Sequence, residues 1–178
     1  MIDKKIAITG HTRGFGKYMY DRLIKDNFVM GFSKSAGTDI TVKHDRKNMI
    51  QFILDFDIFI NCAQSGFSQT DLLYEMYEEW KDQRKLIINI GSNARDYINK
   101  NKPYKYSVEK NALNNASKQL GRLSLCKVCT VDYGYLVRPK TELNKSSISY
   151  SEAYEYVNLA LESYNKSHRL LEVLVAHE

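Results

Sequence analysis

Apolar runs and amphipathic stretches alternate along this chain. Lys5-Ile6-Ala7-Ile8-Thr9 reads as a first strand. Phe15, Met19, Leu23 and Ile24 then fall on one face of a helix. Phe28-Val29-Met30-Gly31-Phe32 reads as a second strand, and Asp39-Ile40-Thr41 as a short third one with almost no room for a helix before it. Met49, Ile50, Ile53 and Leu54 mark the next helix stripe. Asp57-Ile58-Phe59-Ile60-Asn61 is continuously apolar at its centre, as in a strand covered on both faces. Thr70 or Asp71 is placed to cap a helix through Leu72, Leu73, Met76 and Trp80. Leu86 to Ile90 form a fifth strand, and a long helix follows Pro103 with Leu113, Ala116, Leu120 and Leu123 inward. Val128 to Val131 lie in a sixth strand. Ser149 and Glu152 have capping-box spacing for a helix burying Ala153, Val157, Ala160, Leu161 and Tyr164, and Leu170 to Val175 make a last strand. The pattern predicts a single α/β domain over residues 1–178, with a mostly parallel sheet of about seven strands and five helices.

The turn after the first strand, Thr9-Gly10-His11-Thr12-Arg13-Gly14-Phe15-Gly16, carries chemistry. Gly10 allows a tight turn, Gly14 admits a pyrophosphate close to the backbone, and Gly16 lets helix pack on strand. The helix start offers free N–H groups to phosphate. Arg13 in the turn and Ser33-Lys34 after the second strand suit a ribose 2′-phosphate, where an NAD site places an acid. NADP is therefore favoured over NAD.

A second constellation follows in chain order. Ser92 ends an apolar strand, and Tyr106 and Lys110 stand four apart on the long helix, hence on one face. A free phenol has a pKa of about 10, and an ammonium one turn away favours the phenolate. A serine hydroxyl can hold a substrate oxygen beside it. Spacing alone says little, because Tyr77 and Lys81 repeat it without a serine at a strand end upstream.

Together these residues resemble the short-chain dehydrogenase/reductase family, over essentially the whole chain. Thr9-Gly10 through Gly16 is similar to its cofactor turn, Asn61-Cys62-Ala63-Gln64 to its Asn-Asn-Ala-Gly segment, and Tyr106-Ser107-Val108-Glu109-Lys110-Asn111-Ala112-Leu113 to its active-site helix. The resemblance implies a Rossmann-type doubly wound fold and reversible reduction of a carbonyl to an alcohol. It implies cofactor contacts from Gly10, Thr12, Arg13, Gly14, Phe15 and Gly16, from Ser33 and Lys34, and from Asp39 and Ile40 at the adenine. It adds Asn61, Ala63, Tyr106, Lys110 and the Leu136 backbone. Tyr106 is then the acid/base, Lys110 its pKa partner, and Ser92 the substrate-oxygen ligand.

The chain departs from that family in several places. Asn61 and Ser92 are only 31 positions apart, and no Asn lies between Cys62 and Ile88 to serve as the family's fourth catalytic residue. Gln64 replaces a glycine and Tyr133 a proline. The stretch after Thr141 is short, implying a small or absent lid, an open pocket and a bulky or carrier-bound carbonyl substrate. These departures keep a second function in view, a dinucleotide-binding sensor or partner-binding module without turnover.

Composition narrows the picture further. The net charge of +5 comes from Lys and Arg spread along the chain, not gathered in a stripe, so no nucleic-acid role is expected. No apolar run approaches the roughly 20 residues of a membrane span. The N-terminal residues Met1 to Lys5 lack a signal peptide's apolar stretch, so a cytoplasmic protein is expected. Cys126 and Cys129 form Cys-x-x-Cys, but in a strand they point to opposite faces, and no metal site is expected. The family resemblance implies a homodimer through the helix after Pro103 as the expected association.

Overall fold

A computed structural model describes residues 2–137 and 147–175. The described elements run β1 (Lys5–Thr9), α1 (Gly14–Leu23), β2 (Phe28–Phe32), α2 (Lys43–Phe52), β3 (Ile58–Asn61), α3 (Ser68–Trp80), β4 (Leu86–Ile90), α4 (Lys105–Leu120), β5 (Lys127–Tyr133), β6 (Tyr135–Val137), β7 (Ser147–Ser149), α5 (Tyr150–Glu162) and β8 (Glu172–Val175). Six strands form one parallel sheet in the order β2-β1-β3-β4-β5-β8, and β6 and β7 pair separately. Order reverses at β1, which leaves a crevice at the carboxyl ends of β1 and β3. Among the described residues, no helix is long and apolar enough to cross a membrane.

Strand alternation builds two cores. Ile6, Ile8, Ile58, Ile60, Leu86 and Ile88 face α1 and α5, where Phe15, Met19, Ala153 and Val157 meet them. Ala7, Phe59 and Ile87 point the other way, onto Met49, Leu72, Met76, Trp80 and Leu113 of α2, α3 and α4. Cys129 belongs to the first core and Cys126 to the second. Both thiols are free and are pushed up to about 12 by burial, so they behave as apolar filler.

Several local expectations need correction. Asp39-Ile40-Thr41 is not a strand. The Asp39 carboxylate accepts from the Thr41 N–H at 3.0 Å and its hydroxyl at 2.8 Å, while the Asp39 N–H donates to Asp45. These donors are satisfied locally, so β2 stays at the sheet edge. Arg46 instead anchors the segment, donating to the Ile40 carbonyl at 2.8 Å and pairing with Glu75. Neither Thr70 nor Asp71 caps α3, which starts at Ser68 after Phe67. Ile24 and Leu123 lie past the last helical residues of α1 and α4 and are exposed. The capping box at Ser149 and Glu152 forms as the spacing predicts. The lid reading after Thr141 falls outside the described residues.

Candidate active site

The glycine turn is held from both sides. Gly10 is left-handed at φ 76° and its N–H donates to the Phe32 carbonyl at 2.7 Å. The Thr9 hydroxyl accepts from the Cys62 and Ala63 N–H groups, each at 3.0 Å, and so ties the turn to the end of β3. A Cβ on Gly16 would stand 2.9 Å from the Gly10 carbonyl carbon and collide with its oxygen. Such a contact with backbone leaves glycine as the residue that fits. Arg13, the N-cap residue of α1, makes no side-chain cap hydrogen bond to the first N–H groups of the helix. A helix start of this kind attracts phosphate.

The turn opens into a cleft of about 1190 Å³ that reaches Ser33 to Thr41 at one end and Cys62 to Ser65 and Tyr150 at the other. Its size and its glycine-floored helix start fit a dinucleotide. Gly10, Thr12, Arg13, Gly14, Phe15, Gly16, Ser33, Lys34, Asp39, Ile40 and Ala63 all line it. At the Ser33 end, the Thr12 and Ser35 hydroxyls are 2.9 Å apart, and those of Ser33 and Ser35 are 3.2 Å apart. Lys34 pairs with Asp39 at 2.7 Å. That pairing, with the Thr41 hydrogen bonds, holds the Asp39 carboxyl down at about 2, so it stays ionised.

Asn61 is not part of the lining. It is fully buried, and its amide donates to the Gln69 carbonyl at 2.9 Å and to the Asn89 side chain at 3.1 Å. Leu136 sits in β6, packed against the first core rather than lining the cleft. Tyr106, Lys110 and Ser92 also lie outside the cleft wall. Gln64 of the rim donates to the Glu109 carboxylate at 2.7 Å, next to Lys110.

Those three residues are brought together. Ser92 follows β4 and opens a 3-10 turn over Asn93–Asp96, where its hydroxyl accepts from the Ala94 N–H at 3.2 Å. Ser107 fixes the start of α4 onto this segment, donating to the Tyr97 carbonyl at 2.8 Å. Burial raises the Tyr106 pKa, and a side-chain interaction with Ser92 counters it. The Lys110 ammonium lies 5.7 Å from the centre of the Tyr106 ring. Lys110 is 4% exposed, and burial pushes it down to about 8.

Sequence reasoning missed two features. Gln69, buried in the first turn of α3, accepts from Lys110 Nζ at 2.8 Å. A lone glutamine outside any motif gave no signal. Behind Ser92, Arg95 donates to Asp132 at 2.6 Å and also pairs with Glu172 and Asp96. A Cβ on Gly91 would run into Asp132, so Gly91 lets this carboxylate lie against the strand end that carries Ser92. Burial raises the Asp132 pKa and the Arg95 charge opposes that shift. Arg95 and Asp132 are 37 positions apart, beyond any local pattern.

No protein-family model matches the chain, and no curated protein matches it in sequence. Solved structures do match in shape. One is a short chain dehydrogenase from Burkholderia cenocepacia J2315 in complex with NADP, with TM-score 0.75, 18% identity, and coverage of 97% of this chain and 88% of that one. An alcohol dehydrogenase from the archaeon Thermococcus sibiricus, complexed with 5-hydroxy-NADP, gives TM-score 0.74 at 15% identity over 98% and 96%. A UDP-N-acetylglucosamine 4-epimerase from Methanobrevibacter ruminantium M1 gives 0.71 at 15% over 99% and 77%. The chain thus folds as a Rossmann-type parallel α/β domain. More narrowly, its fold is the one seen in solved short-chain dehydrogenases. One fold here serves both dehydrogenase and epimerase, so activity must be argued from the site.

Proposed function

We propose that this protein is an NADPH-dependent oxidoreductase of the short-chain dehydrogenase/reductase kind, reversibly reducing a carbonyl to an alcohol. The observation that carries the reading is the meeting of Ser92, Tyr106 and Lys110 beside the glycine-floored cleft. A bound nicotinamide dinucleotide supplies and accepts the hydride. The α1 start with Gly14 and Gly16 receives its phosphates, and the Ser33 end its adenosine half. The Ser92 hydroxyl holds the substrate oxygen, and Tyr106 gives that oxygen its phenolic proton. The Lys110 ammonium stabilises the phenolate that remains. Arg13, Lys34 and the hydroxyls of Thr12, Ser33 and Ser35 support NADP over NAD, because cations and hydroxyls suit a 2′-phosphate.

NADPH oxidation against a panel of carbonyl compounds tests this, with wild type beside Tyr106→Phe. The reading expects turnover by wild type and a loss on the order of a hundredfold or more in the variant, the scale of lost acid catalysis. Equal rates reject it. One observation favours a second reading, a dinucleotide-binding module without turnover: two of the three Lys110 donors already point inward, to Gln69 and to the Ile90 carbonyl. NADPH binding by titration, with no turnover of any panel member, selects that reading.

A further inference from the structure

We propose that Gln69 is the positioning residue of the site, a neutral clamp that holds the Lys110 amine under Tyr106 and ties it to the strand end carrying Ser92. The inference rests on the reading of Lys110 as the partner of Tyr106.

Gln69 is 2% exposed, and its side-chain oxygen and both amide hydrogens are engaged. Its Oε1 accepts from Lys110 Nζ at 2.8 Å. Its Nε2 donates to the Asn61 carbonyl at 2.8 Å and to the Ile90 carbonyl at 3.1 Å. Lys110 Nζ donates to that same Ile90 carbonyl at 2.9 Å. A primary amide offers two donors and one acceptor group, and all three are engaged. One side chain therefore connects the end of β3, the end of β4 and the amine on α4. Ile90 stands two residues before Ser92, so the shared carbonyl links the amine to the segment that carries the hydroxyl.

The choice of an amide matters. Carbonyl acceptors stabilise an ammonium by hydrogen bonding without bringing a full negative charge. A carboxylate at Oε1 would hold the proton on Lys110 much more firmly. An apolar side chain would leave the buried amine with the Ile90 carbonyl and strand the Asn61 carbonyl without this donor. The ionisable groups facing Lys110 are Tyr106 and Glu109 on its own helix, Cys62 after β3 and Asp132 on β5. The Gln69 and Ile90 carbonyls thus supply the amine with neutral partners amid anionic or neutralisable ones.

The test uses the cofactor-free protein, so it stands apart from whether any carbonyl is turned over. The side-chain amide of Gln69 is followed by proton–nitrogen NMR over a range of about pH 6 to 10, wide enough to cover an amine lowered by burial. The proposal expects the Gln69 amide signal to move with a single midpoint near 8, the value at which Lys110 loses its proton. It expects that movement to vanish in Lys110→Met, which replaces the alkyl stem atom for atom and removes the amine and its charge. A Gln69→Glu variant should raise the Lys110 midpoint by about one pH unit or more, a tenfold or greater change in proton affinity. The wild-type titration does not depend on that variant folding. A Gln69 amide that stays still through the Lys110 titration overturns the proposal. So does a movement that persists unchanged in Lys110→Met.

Discussion

Replacing Lys110 by methionine should change how stability depends on pH. Burial lowers the amine from the ordinary 10.5 to about 8 in the folded protein. Between those values the unfolded chain keeps the proton while the folded chain releases it. The unfolded state then binds more protons, so stability rises with pH through this window. Below about pH 8 both states are protonated, and the folded protein bears the full cost of a buried charge. Each pH unit of the gap is worth about 1.4 kcal/mol, which makes the whole cost about 3 kcal/mol. About 1.3 kcal/mol of it should be recovered between about pH 7 and pH 9. The assay is urea unfolding followed by fluorescence of Trp80, the single tryptophan, which is fully buried. Wild-type stability minus Lys110→Met stability should climb by that amount. The buried thiols, raised to about 11 at Cys62 and about 12 at Cys126 and Cys129, pull the other way at high pH. They are present in both proteins and largely cancel in the difference. A difference that is flat or falls with pH refutes the claim that Lys110 is held desolvated.

Further outcomes follow from the same geometry. Gly16→Ala should strain the cradle against the Gly10 carbonyl, cost about 1–3 kcal/mol and weaken NADPH binding in a fluorescence titration. Arg95→Met should cost about 3–5 kcal/mol in chemical denaturation, because it leaves the fully buried Asp132 carboxylate without its closest partner. Arg13→Ala and Lys34→Ala should each weaken NADPH binding about tenfold, the scale of one charge-assisted contact, and leave NADH binding nearly unchanged. Equal losses for both nucleotides would remove the case for a 2′-phosphate contact.

Much of this architecture could be read in advance because strands and helices in a parallel α/β fold announce themselves by period. Ile58, Phe59 and Ile60 are apolar without alternation, and the structure buries all three, on both faces of the sheet. Ser149 and Glu152 fixed the start of α5 through a purely local pair of hydrogen bonds. The absent third strand was not legible, since Asp39 and Thr41 can satisfy donors either in a ladder or in their own turn. Which alternative wins depends on Asp45 and Arg46. Ile24 and Leu123 were misplaced because apolar periodicity does not mark the residue at which a helix ends. In the candidate site, the glycine turn and the Tyr106 to Lys110 spacing were visible as short-range patterns. The Gln69 clamp and the Arg95–Asp132 pair were not, because each joins residues tens of positions apart and depends on strand order.

The most direct measurement is a crystal structure soaked with NADP. This account predicts the pyrophosphate at the N-terminus of α1 beside Gly14 and Gly16. It predicts the nicotinamide directed toward the Tyr106 hydroxyl and the Ser92 side chain, with Arg13 or Lys34 on the 2′-phosphate. A nucleotide bound elsewhere, or one whose ring points away from Tyr106, contradicts it.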